Sequence, residues 1–317
     1  MSKNVTVTPT RDLRAPKRLE YSCILAVIVL AIVGWIFGSE VRSIDWNGVA
    51  RAWSAIPLAS IGASLIFSVV SFVMLATLDV LAARRVAPRQ ISTKRAAFAG
   101  ATSHAISNTL GFPAFTGSVI RYRIYASSGL GAGDIARIVA LAAFGIAMGF
   151  TVVTTVALLW QPSLAHGWGR PLGVVVCAAL LAFLFWLRGP SRSVRIVRWT
   201  LVFPDSATAA WQMLVGGVEM VAAIAALFVL LPANSAPPFI DFLPIYVGAV
   251  LVGLISHVPG GLGVFEVIVL AAFPAYARAE ALAAMLCYRI TYSVVPFACA
   301  GIAWLVFESR TLRNSRC

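Results

Sequence analysis

Lysine is nearly missing from this chain. Only Lys3, Lys17 and Lys94 occur among 317 residues, against 22 arginines, and none of the three lies in an apolar run. Any cation buried by the fold is therefore a guanidinium, which suits planar recognition of phosphate or carboxylate better than titrating amine chemistry. Charge of either sign is scarce too. Charged residues make up 12% of the chain, where a soluble domain carries about a quarter, and 60% are hydrophobic. An ordinary soluble domain is excluded. The five cysteines, Cys23, Cys177, Cys287, Cys299 and Cys317, show neither metal-ligand nor CxxC spacing, and four fall within apolar runs, so they read as inert thiols. No nucleophile elbow, Walker loop, HExxH or paired-carboxylate signature is present. Neither catalysis nor a metal or other cofactor is expected. His104 and His257 have no third ligand nearby in sequence and read as satisfied polar packing.

What is present is a series of apolar spans at mean hydropathy +0.89. Six are long enough to cross a bilayer, at roughly 21–38, 56–83, 135–160, 171–187, 207–231 and 281–307. The first lacks a small-x-small cleavage site and is long for a signal-peptide core, so it reads as an uncleaved span. The net charge of +13 could suggest nucleic acid. Its residues instead cluster between spans, where the positive-inside rule puts them, and no nucleic-acid partner is expected. Within 135–160 the pattern Gly145-Ile-Ala-Met-Gly149 predicts close approach of another helix. Arg188, Arg192, Arg195 and Arg198, spaced by three and four, predict a helix with one basic face on an anionic membrane surface.

Two further apolar stretches are interrupted. Ala96–Tyr125 contains Ser103, His104, Asn108, Gly111, Pro113 and Gly117, and the run entering from Pro244 meets Pro259, Gly260, Gly261 and Gly263 before Glu266. Proline removes a backbone donor and glycine removes helix propensity, so both runs should break and free backbone polar groups. In a bilayer such breaks persist only where protein or a water-filled cavity satisfies those groups. Placing 1–20, the 84–95 connector, the 188–198 segment and the 308–317 tail on the cytoplasmic side gathers seventeen basic residues there. The number of crossings is then even. The first broken segment would be re-entrant from inside and the second from outside. The expected fold class is an all-α polytopic membrane protein, one membrane domain over 21–307, with about six full spans plus two re-entrant broken segments in an inverted repeat. Its halves lie near 21–160 and 171–307, with both termini cytoplasmic.

Glu219 and Arg289 lie deep in spans, and Asp79 lies near the end of its own. Each such charge costs on the order of 2.5–3.5 kcal/mol to insert, so each needs a partner or water. Opposite sign makes Glu219 and Arg289 candidates for each other. Arg121 and Arg123 would splay by about 200° on a helix and so cannot form one cluster there, whereas an extended chain would put them on one face. The candidate lipid-binding or translocation set is Asp79, Asn108, Arg121, Arg123, Glu219, Glu266 and Arg289. The expected breaks are Gly111, Pro113, Gly117, Pro259, Gly260, Gly261 and Gly263.

Three segments carry a family resemblance. His104-Ala-Ile-Ser-Asn-Thr-Leu-Gly-Phe-Pro-Ala-Phe-Thr-Gly-Ser-Val-Ile-Arg-Tyr-Arg-Ile-Tyr125, Pro259-Gly-Gly-Leu-Gly-Val-Phe-Glu266 and Tyr288-Arg-Ile-Thr-Tyr-Ser-Val-Val-Pro296 occur in the order found in the N-terminal membrane domain of lysylphosphatidylglycerol synthases, the multiple peptide resistance factors. The chain resembles that domain over essentially its whole length. The resemblance implies a stand-alone flippase-like domain of the bacterial inner membrane. Its partner would be a phospholipid, anionic or aminoacylated phosphatidylglycerol, with the family's polar intramembrane positions falling on Asp79, Arg121, Glu219 and Arg289. It also implies that this chain, without the soluble aminoacyl-transferase domain, makes no lysyl-lipid unaided. Two other readings stay open: a non-transporting membrane partner of a separate aminoacyl-lipid synthase, and a proton-coupled small-solute transporter. A homo-oligomer stays open as well.

Overall fold

The computed structural model describes residues 45–110, 113–161, 167–189, 193–196, 199–256 and 258–314. The expected first span over 21–38, the basic N-terminus, Gly111, His257 and the last three residues of the tail lie outside them. Eleven helices and one small hairpin are described: α1 (Trp46–Ala55), α2 (Leu58–Val86), α3 (Thr93–Leu110), α4 (Pro113–Ala126), α5 (Ala132–Trp160), α6 (Gly169–Trp186), β1 (Ser193–Ile196), β2 (Trp199–Val202), α7 (Ser206–Phe228), α8 (Phe239–Ile255), α9 (Val264–Ala271), α10 (Arg278–Tyr288) and α11 (Val295–Asn314). A 3-10 turn, Pro259–Gly261, joins α8 to α9, and a π-helical turn, Arg289–Val294, joins α10 to α11.

Five helical segments are long and apolar enough to cross a membrane: α2, α5, α6, α7 and the continuous run Ala275–Arg310. They match the five expected spans that fall on described residues. α1 lies between the expected spans 21–38 and 56–83. It forms because Asp45 accepts a hydrogen bond from the Asn47 N–H at 3.1 Å and caps its first turn.

α2 packs along α7, and α5 packs against both. The α5–α7 contact depends on missing side chains, as the Gly145–Gly149 pattern predicts. A Cβ on Gly149 would fall 2.1 Å from the Gly216 carbonyl carbon, and one on Gly216 would fall 2.5 Å from the Gly145 oxygen. Gln212 on α7 donates from Nε2 to the Leu141 carbonyl at 2.9 Å, so the two helices run parallel.

The interrupted stretches fold as two helical hairpins between these spans. α3 and α4, at 18 and 14 residues, reach about 27 and 21 Å at ~1.5 Å per residue, short of a ~30 Å hydrocarbon core. Their open ends are tied together, since Arg95 donates to Ser128 Oγ. α3–α4 therefore enters and returns on one side. In the second hairpin α8 leads into Gly260, Gly261 and Gly263, whose φ values of 61°, 62° and 82° are left-handed, and the eight-residue α9 turns back along α8. The ring of Tyr246 on α8 meets that of Phe265 on α9 at 5.3 Å.

Two expectations are corrected, Gly117 as a break and the basic helix over 188–198. Gly117 is no break: it is buried inside α4, where its missing side chain lets Ser107 of α3 and the Arg121 guanidinium approach. A single interior glycine costs a helix only about 1 kcal/mol, which that packing outweighs. Pro113 opens α4, the first-turn position where its missing N–H has no helical partner to lose. Of the expected basic helix over 188–198, Arg192 and Arg198 lie outside the described residues, and 193–196 is a strand rather than a helix. β1 and β2 pair antiparallel there, Val194 opposite Leu201 and Arg195 opposite Thr200, because Val194, Ile196, Thr200 and Val202 favour the pleated strand. Apart from that hairpin the described regular elements are helical.

Candidate functional site

Four deep charges gather in two ion pairs, one beside each hairpin. In the first, Asp79 of α2 is fully buried and faces α4. Arg121 donates to it twice, Nε to Oδ1 at 2.8 Å and Nη2 to Oδ2 at 2.7 Å. Both charges are removed from water, which repays its desolvation only with fork geometry of this kind and further hydrogen bonds. Tyr125 supplies one of these, donating to Oδ1 at 3.3 Å. His104 of α3 closes the group, with Nε2 2.7 Å from Arg121 Nη2. A guanidinium only donates, so Nε2 accepts and the imidazole is neutral with its hydrogen on Nδ1. Gly100 makes the arrangement possible, because a Cβ there would lie 2.8 Å from the Asp79 Cβ.

The second pair answers the question raised by the glycine break: where its freed backbone groups go. Arg289, the first residue of the π-turn, donates Nη1 to the Gly260 carbonyl at 2.7 Å and Nε to Glu266 Oε1 at 2.8 Å. Glu266 uses Oε2 to accept the Gly263 N–H at 2.7 Å, capping α9 from its own first turn. The Arg289 guanidinium lies over the Phe265 ring, 5.6 Å from its centroid. Unlike Arg121, whose side chain is 6% exposed, Arg289 keeps 21% of its side chain exposed.

The two hairpins meet at their tips. Gly260 lies against the carbonyls of Asn108 and Thr109, 3.5 and 3.7 Å from the position of a Cβ, and Thr109 Oγ1 donates to the Ser293 carbonyl of the π-turn at 3.3 Å. Asn108 thus touches the second break through its backbone. Arg123 does not join. The helical splay turns it outward, where it pairs with Glu308 of α11.

The expected Glu219–Arg289 partnership is also absent. Arg289 is taken by Glu266, and Glu219 is held by hydroxyls: Ser71 Oγ donates to its Oε1 at 2.8 Å and the Tyr292 hydroxyl lies 3.4 Å away. Ser71 and Tyr292 were missed as site residues, as were Tyr125 and Gly100. A signal existed for Ser71: Ser64, Ser68 and Ser71 recur at helical spacing in an apolar span, and all three are buried. Among the described residues no three His, Cys, Asp or Glu side chains gather as they would around a metal ion.

Known proteins are similar to this chain over most of its length. An uncharacterised protein of Synechocystis sp. is 27% identical over 308 residues, covering 95% of both chains. The Escherichia coli inner membrane protein YbhN is 25% identical over 309 residues, covering 93% of both. Phosphatidylglycerol lysyltransferase of Staphylococcus aureus is 26% identical over 275 residues, which are 83% of this chain and 31% of that enzyme. The model of the lysylphosphatidylglycerol synthase TM region matches residues 23–300, a run that holds both hairpins, both buried ion pairs and the π-turn, and the chain belongs to that family.

Proposed function

We propose that this chain moves a phospholipid headgroup across a bacterial inner membrane through the point where the two hairpin tips meet, acting on aminoacylated phosphatidylglycerol or a related phospholipid. One observation carries the reading. Arg289 is a partly exposed guanidinium at that point, held to a backbone carbonyl that a phosphate oxygen could replace without leaving the cation unpaired. In this reading Arg289 takes the phosphate. Glu266 holds Arg289 ready, and the Asp79–Arg121 pair braces the first hairpin. The membrane relationship to a phosphatidylglycerol lysyltransferase supports a lipid as cargo. The chain then consists of inverted halves near 21–160 and 171–307, α2 corresponding to α7 and the α3–α4 hairpin to the α8–α9 hairpin, with both termini cytoplasmic. The reading assigns movement to this chain and no bond-making chemistry.

Reconstitution of the purified protein in liposomes, with leaflet distribution of labelled anionic and aminoacylated phosphatidylglycerol as readout, tests this. Wild-type protein should redistribute at least one of the two, and Arg289→Ala should lose that activity while still inserting. Equal leaflet distributions with and without the wild-type protein, for both lipids, would refute it.

A further inference from the structure

Glu219 stands apart from the other buried carboxylates. Asp79 and Glu266 each face a guanidinium, whereas among the described residues no arginine, lysine or histidine forms an ion pair with Glu219. It is 8% exposed, in the middle of α7. Hydroxyls surround it. Tyr292 and Ser71 lie 2.8 Å apart, and a serine has one hydrogen to give. With Ser71 donating to Glu219, Tyr292 must donate to Ser71, which orders the chain Tyr292, Ser71, Glu219. An ionised carboxylate in this setting would be left without a counter-charge, a state that proteins avoid by neutralising the group. α2 presents Ser71, with Asp79 eight residues on and already committed to Arg121. α8 presents Tyr246, α10 presents Tyr288, whose hydroxyl is 2.7 Å from that of Tyr246, and the π-turn presents Tyr292 and Arg289. The stretch of α5 alongside α7, from Ile138 to Trp160, has no titratable side chain.

The π-turn connects this group to the glycine break. Tyr292, which reaches the Glu219–Ser71 pair, and Arg289, which holds the Gly260 carbonyl, are three residues apart on the same six-residue turn. Single π-turns inside α-helices are frequent at functional sites. We propose that Glu219 is a proton-exchange site, and that the π-turn Arg289–Val294 transmits its protonation state to the break at Gly260. With the proton on Glu219, Arg289 stays on Gly260 and Glu266. When the O–H bond breaks and the proton passes to water admitted at the break, the carboxylate draws on Arg289 as its counter-charge. The π-turn shifts and the Gly260 carbonyl is released. The proposal concerns the same region as the lipid reading but does not depend on it, because proton binding and exposure of the break are measured without any lipid movement.

The test uses the full chain in liposomes and two readouts. Infrared difference spectra across pH, in light and heavy water, should show the C=O stretch of a protonated carboxylic acid that Glu219→Gln removes. Leu262 lies exposed within the break. Leu262→Cys should react with a water-soluble maleimide several-fold faster at alkaline than at acid pH, after correction for thiolate fraction using a model thiol. Peptide mass spectrometry separates this site from the five native cysteines. Adding Glu219→Gln should abolish the pH response. Tyr292→Phe should retain the acid band but weaken the response, and it stands in if the glutamine variant fails to fold. Absence of the acid band, or a labelling response unchanged by Glu219→Gln or Tyr292→Phe, overturns the proposal.

Discussion

Replacing Asp79 by Ala would leave the Arg121 guanidinium buried, still beside His104 but without its counter-charge. Asp79 accepts both arms of the fork and the Tyr125 hydroxyl, and among the described residues no other carboxylate pairs with Arg121. His104 accepts one Nη2 hydrogen and is neutral, so it cannot balance the charge. Removing one member of a buried pair costs about 3–5 kcal/mol. For a chain of this length each kcal/mol shifts the unfolding midpoint by on the order of 2 °C, so Asp79→Ala should melt about 6–10 °C below wild type. The assay is the monodisperse fraction surviving a heating series in detergent. Asp79→Ala combined with Arg121→Met removes both charges while keeping a long apolar side chain, and it should recover more than half of the loss. Two results would refute this reasoning: a single variant as stable as wild type, or a double variant no better than the single one. Loss of lipid movement without loss of stability would instead assign Asp79 a part in the transport path.

Two further outcomes follow from packing and exposure. Gly149→Ala should cost at least about 1–3 kcal/mol through overpacking, because its Cβ collides with the Gly216 backbone, which cannot rotate away; Gly62→Ala, with open space around it, should melt with wild type in the same heating series. Arg123→Ala should leave both stability and leaflet redistribution unchanged, since its pair with Glu308 sits on the surface, and a clear loss in either measurement would place Arg123 in the working site after all.

The hairpins were legible because proline and glycine act locally. Pro113 takes the first position of α4, where its missing N–H costs no helical bond, and Gly260, Gly261 and Gly263 occupy left-handed backbone that other residues rarely adopt. The Gly145–Gly149 motif was legible for the same reason, although its partner Gly216 was not, since a close approach needs two surfaces and only one had a pattern. Local reasoning failed where residues from distant segments compete. Glu219 and Arg289 looked complementary by sign, yet Glu266, three residues beyond Gly263, reaches Arg289 first because α9 folds back over it. The 188–202 segment failed differently. Its arginine spacing suggested a helix while its β-branched residues carried the strand preference.

Composition and spacing by themselves determined that this is a polytopic helical membrane protein with two interrupted segments, because hydrocarbon solvation and backbone geometry act on short stretches irrespective of what surrounds them. Only the tertiary structure decided which charges pair, that the two breaks touch at Gly260 and Asn108, and that Glu219 is left among hydroxyls. Those outcomes depend on which of several possible partners lies within about 3 Å. That distance is set by the packing of α2, α7 and the π-turn together, and no single stretch of the chain contains it.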